Sequence, residues 1–185
     1  MAKLVYATNV SLDGCTEDAA GRFDWAPPDD DVFVFTTALM ASAGTYLYGR
    51  RMYETLALWE TDPTLAAASE LTAEYARVWQ AADKVVYSTT LDAPSTARTR
   101  LERRFDPEAV RLQKAVAERD LLVGGPHLAA QALAAGLVDE VGLLVWPVAL
   151  GGRNPALPTD QRLELELIDE MRFANGVVYL RYGVR

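Results

Sequence analysis

Residues 121–148 read LLVGGPHLAAQALAAGLVDEVGLLVWPV, and this stretch decides the fold class. Residues 121–123 form a short apolar run typical of a buried strand, and it leads directly into Gly124-Gly125-Pro126. Residues 128–135 have the pattern of a helix, and the long apolar run 138–148 predicts a second strand. A strand, a helix and another strand in this order indicate a parallel pair within an α/β sheet.

Shorter apolar runs elsewhere in the chain repeat this alternation of strand and helix. Further strands are predicted at residues 4–10, 45–48, 84–87 and 99–105. Further helices are predicted at residues 32–43, 50–58, 61–82 and 106–119. Residues 16–28 are rich in glycine, aspartate and proline, and this composition predicts a loop.

The C-terminal segment has a different pattern. Residues 163–168, LELELI, alternate strictly between apolar and charged, which is typical of a half-buried strand. Asn175-Gly176 separates two apolar runs and is a strong hairpin signal. We therefore expect a three-layer αβα fold with a mixed, mostly parallel sheet that ends in an antiparallel C-terminal hairpin. With no repeat or linker visible, residues 1–185 are expected to form a single domain.

The composition excludes several functional classes. The chain has 26 acidic and 18 basic residues and a net charge of −8, whereas nucleic acid and anionic membranes both require a basic face. Cys15 is the only cysteine and His127 the only histidine, which excludes metal sites built from several such ligands. We therefore expect no metal, no nucleic acid and no membrane partner. No apolar run reaches the roughly 20 residues of a membrane span, and a cytoplasmic protein is expected.

Turn residues suited to phosphate binding follow three of the predicted strands. Ligands of open α/β sheets bind beyond the carboxyl ends of the strands, where these turns would lie. Glycine pairs let backbone N–H groups approach a phosphate, and an arginine can bind one with its planar fork. Taken singly, each turn also fits a tight connection or a solvated helix face. The three turns are Gly49-Arg50-Arg51, Ser88-Thr89 and Gly124-Gly125.

These turns belong to a longer series of motifs. Ser11-Leu12-Asp13-Gly14 has the form S-x-D-G, and residues 48–54, YGRRMYE, are similar to G-R-x-T-Y-E with methionine in place of threonine. Residues 86–91, VYSTTL, have the form V-x-S-x-T-L, and residues 135–151 are similar to A-G-L-V-D-E followed by P-V-x-L-G. In this order the motifs resemble the reductase domains of the bacterial riboflavin pathway, which are similar to dihydrofolate reductases.

The resemblance implies a dihydrofolate-reductase-like fold that binds NADPH and transfers hydride to a small-molecule substrate. The acceptor would be a pterin-like or a ribosylamino-pyrimidine ring, and the resemblance also implies a homodimer. It places an arginine near the adenosine 2′-phosphate, the serine-threonine turn on the adenosine side and the glycine pair at the pyrophosphate. The cofactor-binding positions implied are Gly49, Arg50, Arg51, Ser88, Thr89, Gly124 and Gly125.

The substrate side is expected in the first loop. Trp25 followed by Asp30 resembles the tryptophan and the nearby acid that hold and help to protonate the ring in dihydrofolate reductases. Asp30 is therefore a candidate catalytic acid and Trp25 a candidate substrate-binding residue, although Asp30 also fits an exposed acid at a helix N-terminus. Asp13 is a second catalytic candidate, beside the substrate-binding candidate Ser11, and it also fits a turn residue. A phosphorylated substrate would need a base nearby, and Arg22 is the only arginine there.

Two alternatives to the riboflavin-pathway type of reductase stay open. One is a true dihydrofolate reductase. The other is a non-catalytic nucleotide-binding protein that has kept the cofactor cleft and lost turnover. The zinc deaminase that often accompanies the riboflavin reductase needs H-x-E and P-C-x-x-C, and the chain contains neither motif.

Overall fold

The computed structural model describes residues 1–185, which form ten strands and seven helices. The strands are β1 (Leu4–Ser11), β2 (Cys15–Glu17), β3 (Ala43–Gly49), β4 (Asp83–Tyr87), β5 (Thr99–Glu102), β6 (Asp120–Gly124), β7 (Glu140–Trp146), β8 (Arg153–Pro155), β9 (Leu165–Arg172) and β10 (Val178–Val184). The helices are α1 (Asp30–Ser42), α2 (Arg50–Leu56), α3 (Leu58–Thr61), α4 (Pro63–Ala66), α5 (Glu70–Ala81), α6 (Pro107–Val116) and α7 (Pro126–Ala134).

Eight of the strands form one sheet in the order β5-β4-β3-β6-β1-β7-β10-β9. The six strands from β5 to β7 are parallel, whereas β10 pairs antiparallel with both β7 and β9. Strands β9 and β10 flank the Asn175-Gly176 turn as the hairpin signal predicts. The structure thus confirms an α/β fold with a mixed, mostly parallel sheet and an antiparallel C-terminal hairpin.

Helices cover both faces of the parallel part of the sheet. Successive strand residues point to opposite faces, so Tyr6 of β1 packs with α7 while its neighbour Val5 packs with the helices of the other face. Trp79 of α5 is fully buried against that second face. Burial on both sides explains why these strands are continuous apolar runs without alternation.

The region predicted to be helical after Pro63, within residues 61–82, contains two helices, α4 and α5. Asp62 accepts hydrogen bonds from the backbone N–H groups of Thr64 and Leu65 and begins α4 at Pro63. Ser69 forms a capping box with Thr72 and begins α5. Each side-chain cap begins a new helix, so the predicted helical region is present but is divided between residues 66 and 70.

Two further predictions need correction. Residues 16–28 are not all loop, because Thr16 and Glu17 belong to β2, which pairs with β8 in a small second sheet. The strand predicted at residues 163–168 is β9, and its side chains are mostly exposed because it is the outer strand of the sheet. No helix has the length and apolar character needed to cross a bilayer.

Candidate active site

A crevice opens in the sheet between β1 and β6. Their pairing runs from Leu4 to Tyr6 and stops there, whereas β1 stays paired with β7 as far as Ser11. From β1 the chain crosses through α1 to β3, and from β6 it crosses through α7 to β7, on the opposite face. Such a switch in the winding direction places a ligand crevice at the carboxyl ends of the strands.

A cavity of about 510 Å³ lies along this crevice. Its floor includes residues 7–9 of β1, and its other walls come from the turns after β3 and β6, from α1 and from the loop that carries Trp25. The predicted positions Gly49, Arg50, Arg51, Gly124 and Gly125 all lie on the cavity wall, as does Trp25.

The turn between β6 and α7 is shaped by its two glycines. Gly125 has φ +90°, a left-handed conformation that side chains rarely adopt. A Cβ on Gly124 would lie 2.8 Å from the ring of Tyr48, so the absence of a side chain lets that ring pack against the turn. No side chain caps the first turn of α7, and its N–H groups lie at the cavity wall with the positive end of the helix dipole.

The two arginines after β3 hold neighbouring loops in place. Arg50 donates from Nε to Glu54 Oε1 at 2.8 Å and from Nη1 to Thr90 Oγ1 at 2.9 Å. Arg51 donates from Nη1 to Glu17 Oε1 at 2.6 Å, and its guanidinium lies 5.8 Å from the ring centroid of Phe23. Arg51 thereby connects α2 to β2 and to the loop that follows it.

The acidic and basic residues of the cavity wall lie on one side. They are Glu17, Arg50, Arg51 and His127. We call this side the cationic end and define it by residues 17, 49–52 and 124–128. The opposite side is formed by Asn9, Trp25, Thr36 and Leu144, none of which is ionisable, and we call it the neutral end. The strand order β3-β6-β1-β7 separates the two ends across the sheet.

At the neutral end, two tryptophans and an asparagine form a connected group. Trp25 meets Trp146 edge-on, with ring centroids 6.5 Å apart and an interplanar angle of 87°. Trp146 donates from Nε1 to Asn9 Oδ1 at 3.0 Å. Sequence reasoning missed Asn9 and Thr36 as residues of the site. The available signal was a polar residue, Asn9, inside an otherwise apolar strand that ends at the crevice.

Asp30 lies outside the cavity wall. It is the first residue of α1 and is exposed, and the helix is capped by its neighbour Asp29, whose Oδ1 accepts from Val32 N at 3.0 Å. Trp25 and Asp30 are therefore not brought together at the neutral end, contrary to the arrangement that their spacing suggested. Asp30 instead adds to the negative charge at the N-terminus of α1, where it interacts favourably with the helix dipole.

Ser11 and Asp13 also lie outside the cavity wall and connect loops instead. Ser11 Oγ donates to Asp13 Oδ1 at 2.6 Å, and the Asp13 carboxylate accepts from the backbone N–H groups of Leu150 and Gly151 at 3.0 and 2.7 Å. These hydrogen bonds lower the pKa of Asp13 to about 2, and the bond from Ser11 has the largest effect. At neutral pH Asp13 is ionised and has no proton to donate.

Ser88 and Thr89 do not form part of the cavity wall. Ser88 Oγ accepts from the backbone N–H groups of Thr90 and Leu91 at 3.2 and 3.0 Å and so shapes the turn after β4. Arg103, which the sequence did not single out, donates to the carbonyl of Leu91 at 2.7 Å. The bond between Arg50 and Thr90 connects this turn to the cationic end.

Comparison with known proteins identifies the family. The sequence matches the family described as RibD C-terminal domain over residues 2–179. It is 27% identical over 181 residues to the uncharacterized protein YyaP of Bacillus subtilis (strain 168), a match that covers 97% of this chain and 94% of that protein.

Solved structures share the fold. A protein named for riboflavin biosynthesis from Shewanella sp. PV-4 superposes with a TM-score of 0.76 at 20% identity, over 100% of this chain and 99% of that one. A pyrimidine reductase-like protein from Corynebacterium diphtheriae gives 0.67 at 14% identity, over 100% and 92%. A deaminase/5-amino-6-(5-phosphoribosylamino)uracil reductase from Thermotoga maritima gives 0.65 at 13%, over 100% of this chain and 57% of that one. The chain belongs to the RibD C-terminal domain family, whose members are reductases of the riboflavin-pathway type.

Proposed function

We propose that this protein is an NADPH-dependent reductase that transfers hydride to a pterin-like or ribosylamino-pyrimidine ring. The observation that carries the proposal is the cavity at the crevice between β1 and β6, with its ionisable groups gathered at one end. A cavity of about 510 Å³ is within the range of small-molecule and cofactor sites.

The cationic end has the donors that an anionic dinucleotide requires. The uncapped first turn of α7 offers backbone N–H groups for a pyrophosphate, and His127 lies on the same turn. Arg50 and Arg51 lie at the same end of the cavity and suit the 2′-phosphate. The only carboxylate on the wall, Glu17, is paired with Arg51 and accepts a hydrogen bond from Asn154 Nδ2 at 2.6 Å.

The middle of the crevice suits the nicotinamide ring. Beyond Tyr6, residues 7–9 of β1 have no strand partner on the β6 side, so this strand edge faces the cavity. Backbone N–H and C=O groups on such an edge can bind a carboxamide as another strand would. NADPH, once bound, supplies the hydride, and the chain supplies position and a site with little water.

The neutral end would hold the acceptor ring. Trp25 and Leu144 offer apolar surface, and Asn9 and Thr36 offer polar side chains for the edge of a heterocycle. Because no carboxyl group lies on this wall, a water molecule would deliver the proton that accompanies the hydride. The Corynebacterium and Thermotoga relatives are named for pyrimidine and aminouracil reduction, which supports a ring of this class.

Binding and turnover measurements test the proposal. Titration with NADPH should quench the fluorescence of Trp25 and Trp146, and NADH should bind more weakly because it lacks the 2′-phosphate. Oxidation of NADPH is then followed with aminouracil and dihydropterin acceptors. Lack of NADPH binding at millimolar concentration would contradict the proposal. Tight binding without turnover on any acceptor would favour the non-catalytic nucleotide-binding alternative, and selective turnover of dihydrofolate would favour a true dihydrofolate reductase.

We also propose a homodimer, as the family resemblance implies. The outer strand β9 is unpaired on one side and exposes Leu167, Ile168 and Met171, a combination that favours association with a second copy. Light scattering after size exclusion should give twice the chain mass of 20.3 kDa. Ile168→Asp should shift the protein to the monomer, whereas Leu112→Asp, at an exposed site on α6, should leave the dimer intact.

A further inference from the structure

The wall of the neutral end has no charged group to receive an anion. Its polar side chains are the Asn9 amide and the Thr36 hydroxyl, the indole N–H of Trp25 is buried without a hydrogen-bond partner, and Leu144 completes it. A phosphate or carboxylate placed there would lose its hydration without gaining a cation. Every arginine on the cavity wall lies at the cationic end, where the proposed function assigns it to the cofactor.

The arginine predicted to meet a substrate phosphate is engaged elsewhere. Arg22 donates from Nε to Asp18 Oδ2 at 3.0 Å, and its backbone N–H donates to Asp18 Oδ1 at 2.9 Å. The arginine does not belong to the cavity wall. The structure therefore leaves the predicted phosphate contact without its base.

The segment that carries Trp25 is strongly acidic. Residues 17–31 contain six acidic residues and one arginine. Asp24 precedes Trp25 directly, and Asp29, Asp30 and Asp31 follow it at the start of α1, all of them exposed. Exposed carboxylates close in sequence to a residue of the cavity wall repel an incoming anion and lower its local concentration.

We infer that the hydride acceptor of this protein is an uncharged heterocycle that carries neither a phosphate nor a carboxylate. The inference rests on the proposed function, because it takes the cationic end as the cofactor site. An uncharged ring can pack on Trp25 and exchange hydrogen bonds with Asn9 and Thr36. The dephosphorylated ribosylaminouracil and a simple dihydropterin fit this description, whereas the phosphorylated aminouracil and the glutamate-bearing dihydrofolate do not.

Two matched pairs of ligands test the inference on the full chain saturated with NADP⁺. One pair is 5-amino-6-ribosylaminouracil with and without its 5′-phosphate, and the other is 7,8-dihydropterin against 7,8-dihydrofolate. Calorimetry should show that the uncharged member of each pair binds at least tenfold more tightly. Added salt should reduce this difference in affinity, since it screens repulsion between the acidic segment and the anion.

A variant with fewer acidic residues distinguishes charge repulsion of the phosphate from a poor steric fit of the ligand. Asp24→Asn combined with Asp31→Asn should strengthen binding of the phosphorylated aminouracil at least threefold and change the unphosphorylated compound less than twofold. The matched control, Glu108→Gln with Glu118→Gln, removes the same charge from exposed positions on α6 and just after it, outside the cavity wall. That control should change neither affinity.

The outcomes divide cleanly between the inference and the proposed function. If NADP⁺ itself fails to bind, the proposed function is wrong. If NADP⁺ binds and an anionic ligand binds as tightly as its uncharged counterpart, the inference is overturned while the reductase proposal stands. Failure of all four ligands to bind at millimolar concentration to the NADP⁺ complex also overturns the inference.

Discussion

The two ends of the cavity are formed by different kinds of side chain. At the cationic end, Arg51 and Glu17 form an ion pair and the turn at Gly125 depends on a left-handed backbone. At the neutral end, Trp25 and Trp146 pack edge-on and a single side-chain hydrogen bond positions Asn9. The first end can recognise charge, and the second can recognise the shape and hydrogen-bonding edge of a ring. A reductase needs both functions next to each other, and substitutions should separate them.

The largest effect is expected from Gly152→Ala. A Cβ at this position would lie 1.9 Å from the carbonyl oxygen of Glu17, so the pairing of β2 with β8 must shift. We expect a loss of about 2–3 kcal/mol in the free energy of unfolding, at the upper end of overpacking effects, with NADPH binding weakened more than tenfold. Denaturant unfolding and fluorescence titration measure the two losses.

Gly49→Ala provides the matched control for stability. A Cβ on Gly49 would meet no atom within 4 Å, and its φ of −74° suits alanine. Its free energy of unfolding should stay close to that of the wild type. Equal stability of the Gly152 and Gly49 variants would show that β2 does not depend on this close approach.

The next effect concerns the two arginines. Arg50→Ala together with Arg51→Ala should weaken NADPH binding by about tenfold to a hundredfold, since charge-assisted hydrogen bonds are worth about 1.5–3 kcal/mol. NADH, without the 2′-phosphate, should change by less than about threefold. Arg111→Ala removes an exposed arginine from α6 and serves as control. Equal losses for NADPH and NADH would refute the assignment of these arginines to the 2′-phosphate.

At the neutral end we expect a smaller effect, and it should fall on the acceptor rather than on NADPH. Trp25→Ala removes the edge-on contact with Trp146, and it should raise the KM of the acceptor about fivefold to tenfold while NADPH affinity stays within twofold. Phe23→Ala removes the ring beside Arg51, and it should weaken NADPH binding while it leaves the KM of the acceptor nearly unchanged. Steady-state kinetics and NADPH titration on both variants test the separation. If each substitution changed both parameters alike, the two ends would not be independent.

The smallest effect is a pH dependence of stability. The pKa of Asp13 is lowered to about 2, so its hydrogen bonds to Ser11, Leu150 and Gly151 stabilise the fold above the ordinary pKa near 3.8. That contribution is lost as the pH falls toward 2. Asp13→Asn should therefore have a lower Tm than the wild type at neutral pH, and the difference should shrink below about pH 4. A difference that is constant from neutral to acidic pH would mean that the ionised carboxylate contributes nothing.

The sequence predicted those features that depend on neighbouring residues. The strand-glycine-glycine-helix turn at residues 121–128 and the Asn175-Gly176 hairpin are local signals, and both are present in the structure. The turns at residues 49–51 and 124–125 reach the same cavity because parallel strands end at the same edge of the sheet. Their role in cofactor binding stays a prediction.

Long-range contacts account for what the sequence did not predict. Asn9 is positioned by Trp146, 137 residues away, and the three-residue strand β2 exists only because β8 pairs with it. Asp13 could be recognised as a turn residue from its glycine neighbour, but not as the acceptor for the N–H groups of Leu150 and Gly151. Spacing alone also placed Asp30 beside Trp25, whereas the start of α1 leaves it exposed to solvent.

The unpaired edge of β1 allows ligand binding in the crevice to be followed by hydrogen–deuterium exchange. Val5 and Tyr6 are paired with strands on both sides, whereas residues 7–9 are paired with β7 alone. Amides in residues 7–9 that face the crevice should exchange with deuterium much faster than those of Val5 and Tyr6. A molecule that bonds to this edge would slow their exchange without any label or activity assay. Occupancy of the proposed nicotinamide position can thus be measured without an acceptor.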